Sequence, residues 1–309
     1  MLSKAELEEL QLDKKYFIQN GTDASNIQWL FSRGTNFDCY IQYLDSLNDE
    51  NKLDNKINTI RTIIYAIFKP LQFTFFYWSI LVFILNKFDF KKPVMKIILA
   101  HMIFRSLGDI LDKLGDLMPR YYSNTFDENT KTYVCNYNAS SAEMHPLKWV
   151  LTRQLGIFLW ITGEIIADWY PLIRTREIVY KKASIWFVYV TCVIFNLAKV
   201  SLIILHFTLQ PSQLYDKHGA FNKKHINNFY FIYWAIQLGI IYASVLYDIS
   251  IYLVLKNKNY ENLEFSFEEI RTSISNLQYF IIFIDQILLH ISNNKRSRIY
   301  TVFNFTYNK

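Results

Sequence analysis

The chain has 309 residues, 51% hydrophobic and 17% aromatic, and 33 Lys and Arg against 27 Asp and Glu give it a formal net charge of +6. The basic excess does not point to nucleic acid: Lys87, Lys91, Lys92 and Lys96, or Lys295, Arg296 and Arg298, cluster beside apolar stretches, where membrane topology and anionic headgroups account for them. The six histidines include no i, i+3 or i+4 pair and the three cysteines form no CxxC, so the usual zinc patterns are absent, and no nucleophile-elbow or phosphate-loop pattern marks a catalytic class.

The mean hydropathy of +0.06 hides a blocky distribution, in which apolar windows alternate with charged ones. Residues 1–56 are polar and of mixed charge, with Ser3 and Glu6 spaced as a capping box. This segment reads as extramembrane, and the first 30 residues hold no apolar core of the kind a cleavable signal needs. A first span is expected over about 60–86, kinked near Lys69 and Pro70 because proline removes a backbone donor. Residues 93–118 are ambiguous. Apolar side chains follow helical spacing there, while His101, Arg105, Asp109, Asp112 and Asp116 recur at intervals of four, four, three and four. That pattern fits a span facing a polar bundle interior, the reading preferred here, or an amphipathic helix lying on the membrane.

A polar loop from Pro119 to Lys148 holds Cys135 and the sequon at Asn138. The third span is expected over about 149–172, ending in Arg174, Arg176, Lys181 and Lys182. The fourth and fifth, about 183–209 and 226–255, are the clearest. Each carries a single Asp, Glu, Lys or Arg, Lys199 and Asp248 respectively, and each exceeds the roughly 20 residues that cross a bilayer. A sixth is expected over about 272–292, followed by a basic tail at 293–309. The fold class is therefore an all-α, polytopic transmembrane bundle of six spans. No internal repeat of the transporter kind stands out.

With the N-terminus outside or lumenal, the sequons at Asn20, Asn138 and Asn304 share one oxidising side with Cys39 and Cys135, which then become candidates for a disulfide. The basic tail opposes that orientation. The membrane itself is the plasma membrane or an endomembrane.

Ionisable groups inside a membrane are costly, so each is a candidate for function or for structural pairing. Asp109, Glu164, Asp168, Asp248 and Asp285 are the candidate carboxylates, Arg105 and Lys199 the candidate cations, and His101 a proton relay. Two pairings suggest themselves, Lys199 with Asp248 and Glu164 with Arg105. The layout of spans is similar to the first six helices of a seven-helix receptor, in spacing only. The third span ends in DWYPLIRTRE, without that family's acidic-arginine-aromatic triplet, so no family is assigned.

The functional expectation is a receptor-like sensor with a polar cavity inside the bundle. The alternatives are a transporter or channel working through the carboxylates, and a membrane scaffold. No cofactor or metal is expected, and the expected partners are the lipid bilayer, a small-molecule or ion ligand, and a protein partner or second copy.

Overall fold

The computed structural model describes residues 4–18, 21, 24–127, 130–179 and 182–256. The chain is mostly helical and divides into two compact units. Three helices are long and apolar enough to cross a membrane, Pro146–Glu177, Ile185–Thr208 and Lys223–Leu255, and a broken pair, Asp49–Gln72 with Thr74–Leu85, makes a fourth if its halves count as one span. The expected span at 272–292 and the basic tail lie outside the described residues.

The elements in chain order are α1 (Lys4–Gln11), α2 (Asn26–Phe31), α3 (Phe37–Ser46), α4 (Asp49–Phe68), α5 (Thr74–Leu85), α6 (Pro93–Leu114), β1 (Arg120–Asp127), β2 (Thr132–Asn138), α7 (Pro146–Trp149), α8 (Ile157–Ile178), α9 (Lys182–Thr208) and α10 (Lys223–Lys256). A π-helical turn, Val150–Gly156, joins α7 to α8. Side-chain oxygens start the short helices by accepting from free backbone donors: Ser25 with Gln28 closes a capping box on α2, Asn36 caps α3 at Cys39 N, and Asn48 caps α4 at Asn51 N. Between α4 and α5 a 3₁₀ turn, Lys69–Gln72, carries buried Pro70, at the place where the missing N–H of proline predicts a break.

The structure departs from the sequence reading in two places. Residues 119–148 are not a plain loop, since β1 and β2 pair antiparallel from Arg120↔Asn138 to Asp127↔Thr132, so the described chain is not all-α. Among the described residues α6 is also not one of the helices apolar enough to cross. Lys96, Arg105, Asp109, Asp112 and Lys113 fall within its 22 residues.

The first unit comprises the described parts of Met1–Lys69, Ser106–Ile161 and Ala198–Ile241. Its non-helical part is a cap assembled from three segments distant in sequence. Gly34 bridges to Phe17 on one side and Tyr122 on the other, and a Cβ on Gly34 would run into the Tyr122 backbone. Thr35 N and Asn36 N both donate to Tyr122 O, at 2.7 and 3.0 Å. The loop before α10 joins through Gly219, at φ +70°. Its carbonyl accepts from Thr35 Oγ1 at 2.6 Å and from Asn124 N at 3.4 Å.

Cys39 of α3 and Cys135 of β2 form a disulfide with Cα atoms 5.5 Å apart. Aromatic rings fill the interior. Trp29 lies on Tyr215 at 5.8 Å and Tyr121 on Tyr215 at 5.0 Å, while Tyr121 Oη is within 2.8 Å of Ser32 Oγ. On the helical side, Trp149 Nε1 and Gln154 Nε2 both donate to Leu209 O, at 3.2 and 3.1 Å. Gly108 faces Gly156 so closely that a Cβ would stand 3.0 Å from the Gly156 carbonyl, the close backbone approach that small residues permit between membrane helices.

His145, at the start of α7, is buried against the ring of Tyr121. Burial, aided by the charge of Lys148, lowers its pKa from 6.5 to about 4. The folded cap therefore holds the neutral ring, and between pH 6.5 and 4 the unfolded chain binds more protons than the folded one. Cap stability is expected to be fully present above about pH 6.5 and to fall as the pH is lowered toward 4. Thermal unfolding of the parent and of His145→Gln at pH 7.5 and 5.0 checks this, the variant showing a smaller pH dependence.

Candidate functional site

The second unit comprises the described parts of Pro70–Arg105, Thr162–Leu197 and Tyr242–Lys309. Its apolar core is Val82, Phe83, Met95, Ile98 and Tyr170, and this core brings the first part of α6 against α8. Gly163 sets the spacing. A Cβ there would stand 3.2 Å from Arg105 N and 3.4 Å from His101 O, so any larger residue would push the two helices apart.

Two polar groups of α6 use that approach. His101, 5% exposed, lies with Nδ1 2.8 Å from Gly163 O; the carbonyl can only accept, so Nδ1 carries the proton. One turn on, Arg105 Nη1 donates to Glu164 Oε1 at 2.9 Å, and both side chains are about four-fifths shielded. The low exposure makes this ion pair stronger than a surface one, and more costly to break on one side.

A second polar group forms where α8 meets α10. Tyr247 Oη donates to the backbone carbonyl of Asp168 at 3.0 Å, and Ser250 Oγ lies 2.8 Å from Thr191 Oγ1 of α9. Asp168 is 5% exposed. Asp248 lies close enough to Asp168 to feel its charge, and among the described residues its buried Oδ2 has no hydrogen-bond partner. Two largely buried carboxyl groups thus lie within electrostatic reach of each other.

Of the other candidates, Asp109 and Lys199 are buried in the first unit. The suggested partners Lys199 and Asp248 belong to different units. Asn138 is exposed at the end of β2, while Asn20, Asp285 and Asn304 lie outside the described residues. Among the described residues no group of three or more His, Cys, Asp or Glu is placed to hold a metal ion.

Helical spacing alone did not reveal Asp168 as the neighbour of Asp248, nor Tyr247, Thr191 and Ser250 as its surroundings. Spacing tells which residues share a face of one helix. It does not tell which helix that face meets. No protein-family model, curated protein or solved structure matches the chain, so the site stands on its geometry alone.

Removing one partner of the shielded ion pair leaves the other charge uncompensated. Arg105→Gln is expected to destabilise the protein by on the order of 3 kcal/mol. The double variant Arg105→Gln with Glu164→Gln recovers much of that loss. A double-mutant cycle on thermal unfolding in detergent checks the coupling.

Proposed function

We propose that this chain is a polytopic integral membrane protein that takes up a proton or a small cation at Asp168 and Asp248, in the manner of a transporter or channel. The observation that carries the reading is Asp248, which feels the charge of a second buried carboxylate, Asp168, and whose buried Oδ2 has no donor among the described residues. A structural ion pair would put opposite charges together. Like charges brought together in a low dielectric repel, and a shared proton or bound cation removes the repulsion.

Chain parity supports a multi-span topology. The Cys39–Cys135 disulfide requires both residues to be on one side of the membrane, so the chain between them crosses an even number of times. The broken helix α4–α5 and α6 supply two crossings, which favours α6 as a span despite its charges. Gly219 meets Thr35 and Asn124 on that same side, and Pro146–Glu177 and Ile185–Thr208 again supply two. With α10 the described chain makes five crossings, and the apolar stretch at 272–292 would make the sixth. A disulfide favours the outer or lumenal side for the cap. The Lys-rich and Arg-rich turns near 87–96 and 174–182 then take the cytosolic side.

A receptor-like sensor is the second reading, favoured by the disulfide-closed, aromatic-rich cap, which has the build of a recognition surface. Flux separates the two. The purified chain in liposomes is expected to carry protons or a monovalent cation down an imposed gradient, and Asp248→Asn and Asp168→Asn each to cut the rate at least tenfold. Absence of flux in the parent protein, or unchanged flux in both variants, would remove the transport reading and leave the sensor and the scaffold.

A further inference from the structure

The first unit holds a second cluster of charged and aromatic groups, unrelated to the two aspartates. Arg153 lies in the π-helical turn Val150–Gly156, a departure from regular helix that often accompanies functional sites. Its charge acts on both Tyr230 and His206, and its Nε is shut away from solvent with no hydrogen-bond partner. Guanidinium groups only donate, so an unsatisfied buried Nε–H calls for an acceptor.

Tyr230 also meets Glu143, whose Oε2 accepts from Tyr230 Oη at 3.2 Å. Among the described residues Glu143 and Arg153 form no ion pair with each other or with any other group. One tyrosine is thus within reach of a cation and an anion that form no ion pair with each other. Rings complete the surroundings: Phe229 and Tyr233 pack edge-on against His206, at 5.5 and 5.7 Å. His206 Nδ1 is 2.8 Å from Leu202 O, which fixes the orientation of its ring.

We infer that this cluster binds a small zwitterion, with its anionic end on Arg153 and its cationic end between Glu143 and the rings of Tyr230 and Tyr233. A ligand bearing one charge of each sign compensates both protein charges at once, where a simple ion would compensate one and leave the other. Aromatic faces add affinity for an ammonium group. Arg153 and Tyr230 each lie about two turns inside the first residue of their apolar helices, Pro146 and Lys223, and His206 is near the end of Ile185–Thr208. This depth, about 10 Å at 1.5 Å per residue, is within reach of both lipid headgroups and dissolved solutes, so the zwitterion is either a phosphocholine-type headgroup or a free betaine-like solute.

The full chain in a sugar-based detergent is titrated with phosphocholine, glycine betaine and choline, binding being followed by tryptophan fluorescence. Both zwitterions are expected to bind saturably and choline at least tenfold more weakly. Arg153→Gln is expected to weaken both zwitterions at least tenfold and Arg153→Lys only a few-fold, with the cap disulfide intact by thiol counting in each variant. Glu143→Gln is expected to weaken the zwitterions and choline alike. In nanodiscs, weaker apparent betaine binding in phosphatidylcholine than in phosphatidylglycerol assigns the site to a lipid headgroup, and equal binding assigns it to a free solute. The inference is overturned if neither zwitterion binds, if choline binds as tightly as they do, or if Arg153→Gln binds like the parent. None of these outcomes bears on the aspartate pair.

Discussion

The bond between Cys39 and Cys135 is the constraint on which the rest depends. It joins residues separated by 96 positions, and the loop it closes contains α4, α5 and α6. In the chain-entropy account a cross-link closing about 100 residues removes roughly 4 to 5 kcal/mol of disorder from the unfolded chain. Its topological effect is as large: whatever leaves the cap after α3 must come back to form β2. The backbone bridges at Gly34 and Tyr122, and the contacts of Gly219 with Thr35 and Asn124, extend the same requirement to the loop between α9 and α10. In the proposed topology α6, preferred as a span from the sequence but too charged to count among the apolar crossing helices, is the return path for α4 and α5.

The polar face of α6 needs partners, and within the second unit α8 supplies them. Gly163 brings the backbones close enough for His101 to reach a carbonyl and for Arg105 to reach Glu164. There the burial cost of each charge is offset by its neighbour. Asp168 and Asp248 differ in kind. Each carboxylate raises the cost of ionising the other, and in the proposed reading a proton or cation relieves it. This contrast between a pair of opposite charges and a pair of like ones is the basis of the proposed transport reading.

Much of the helical framework was legible in the sequence, because long apolar windows broken by charge leave few alternatives. The stretches around Lys199 and Asp248 correspond to Ile185–Thr208 and Lys223–Leu255, and Pro70 marked the break before α5. The hairpin was not read, although Thr132, Tyr133, Val134 and Tyr137 in β2 are strand formers and Tyr121 and Ser123 alternate into the interior on β1. Scattered Asn and Asp, and the absence of a tight-turn dipeptide between the strands, hid that pattern. The π-helical turn had no signal in composition or spacing. Its residues Thr152, Arg153 and Gln154 look like an ordinary polar start to an apolar helix, and their roles emerge only from contacts with α9 and α10. The Arg105–Glu164 contact was among the pairings that opposite charge suggests, whereas a contact between two carboxylates is one that charge matching would never suggest.

In the proposed topology the cap segments share one face of the membrane and the turn between α5 and α6 lies on the other, which chemical labelling of each side can check. Exposed Lys131 in the hairpin, Lys217 before α10 and Lys91 between α5 and α6 are replaced one at a time, as Lys131→Cys, Lys217→Cys and Lys91→Cys, and sealed vesicles are treated with a membrane-impermeant maleimide. The proposed topology predicts labelling of the Lys131→Cys and Lys217→Cys variants from one side, and of Lys91→Cys only after the vesicles are opened or inverted. Labelling of all three from the same side would contradict it.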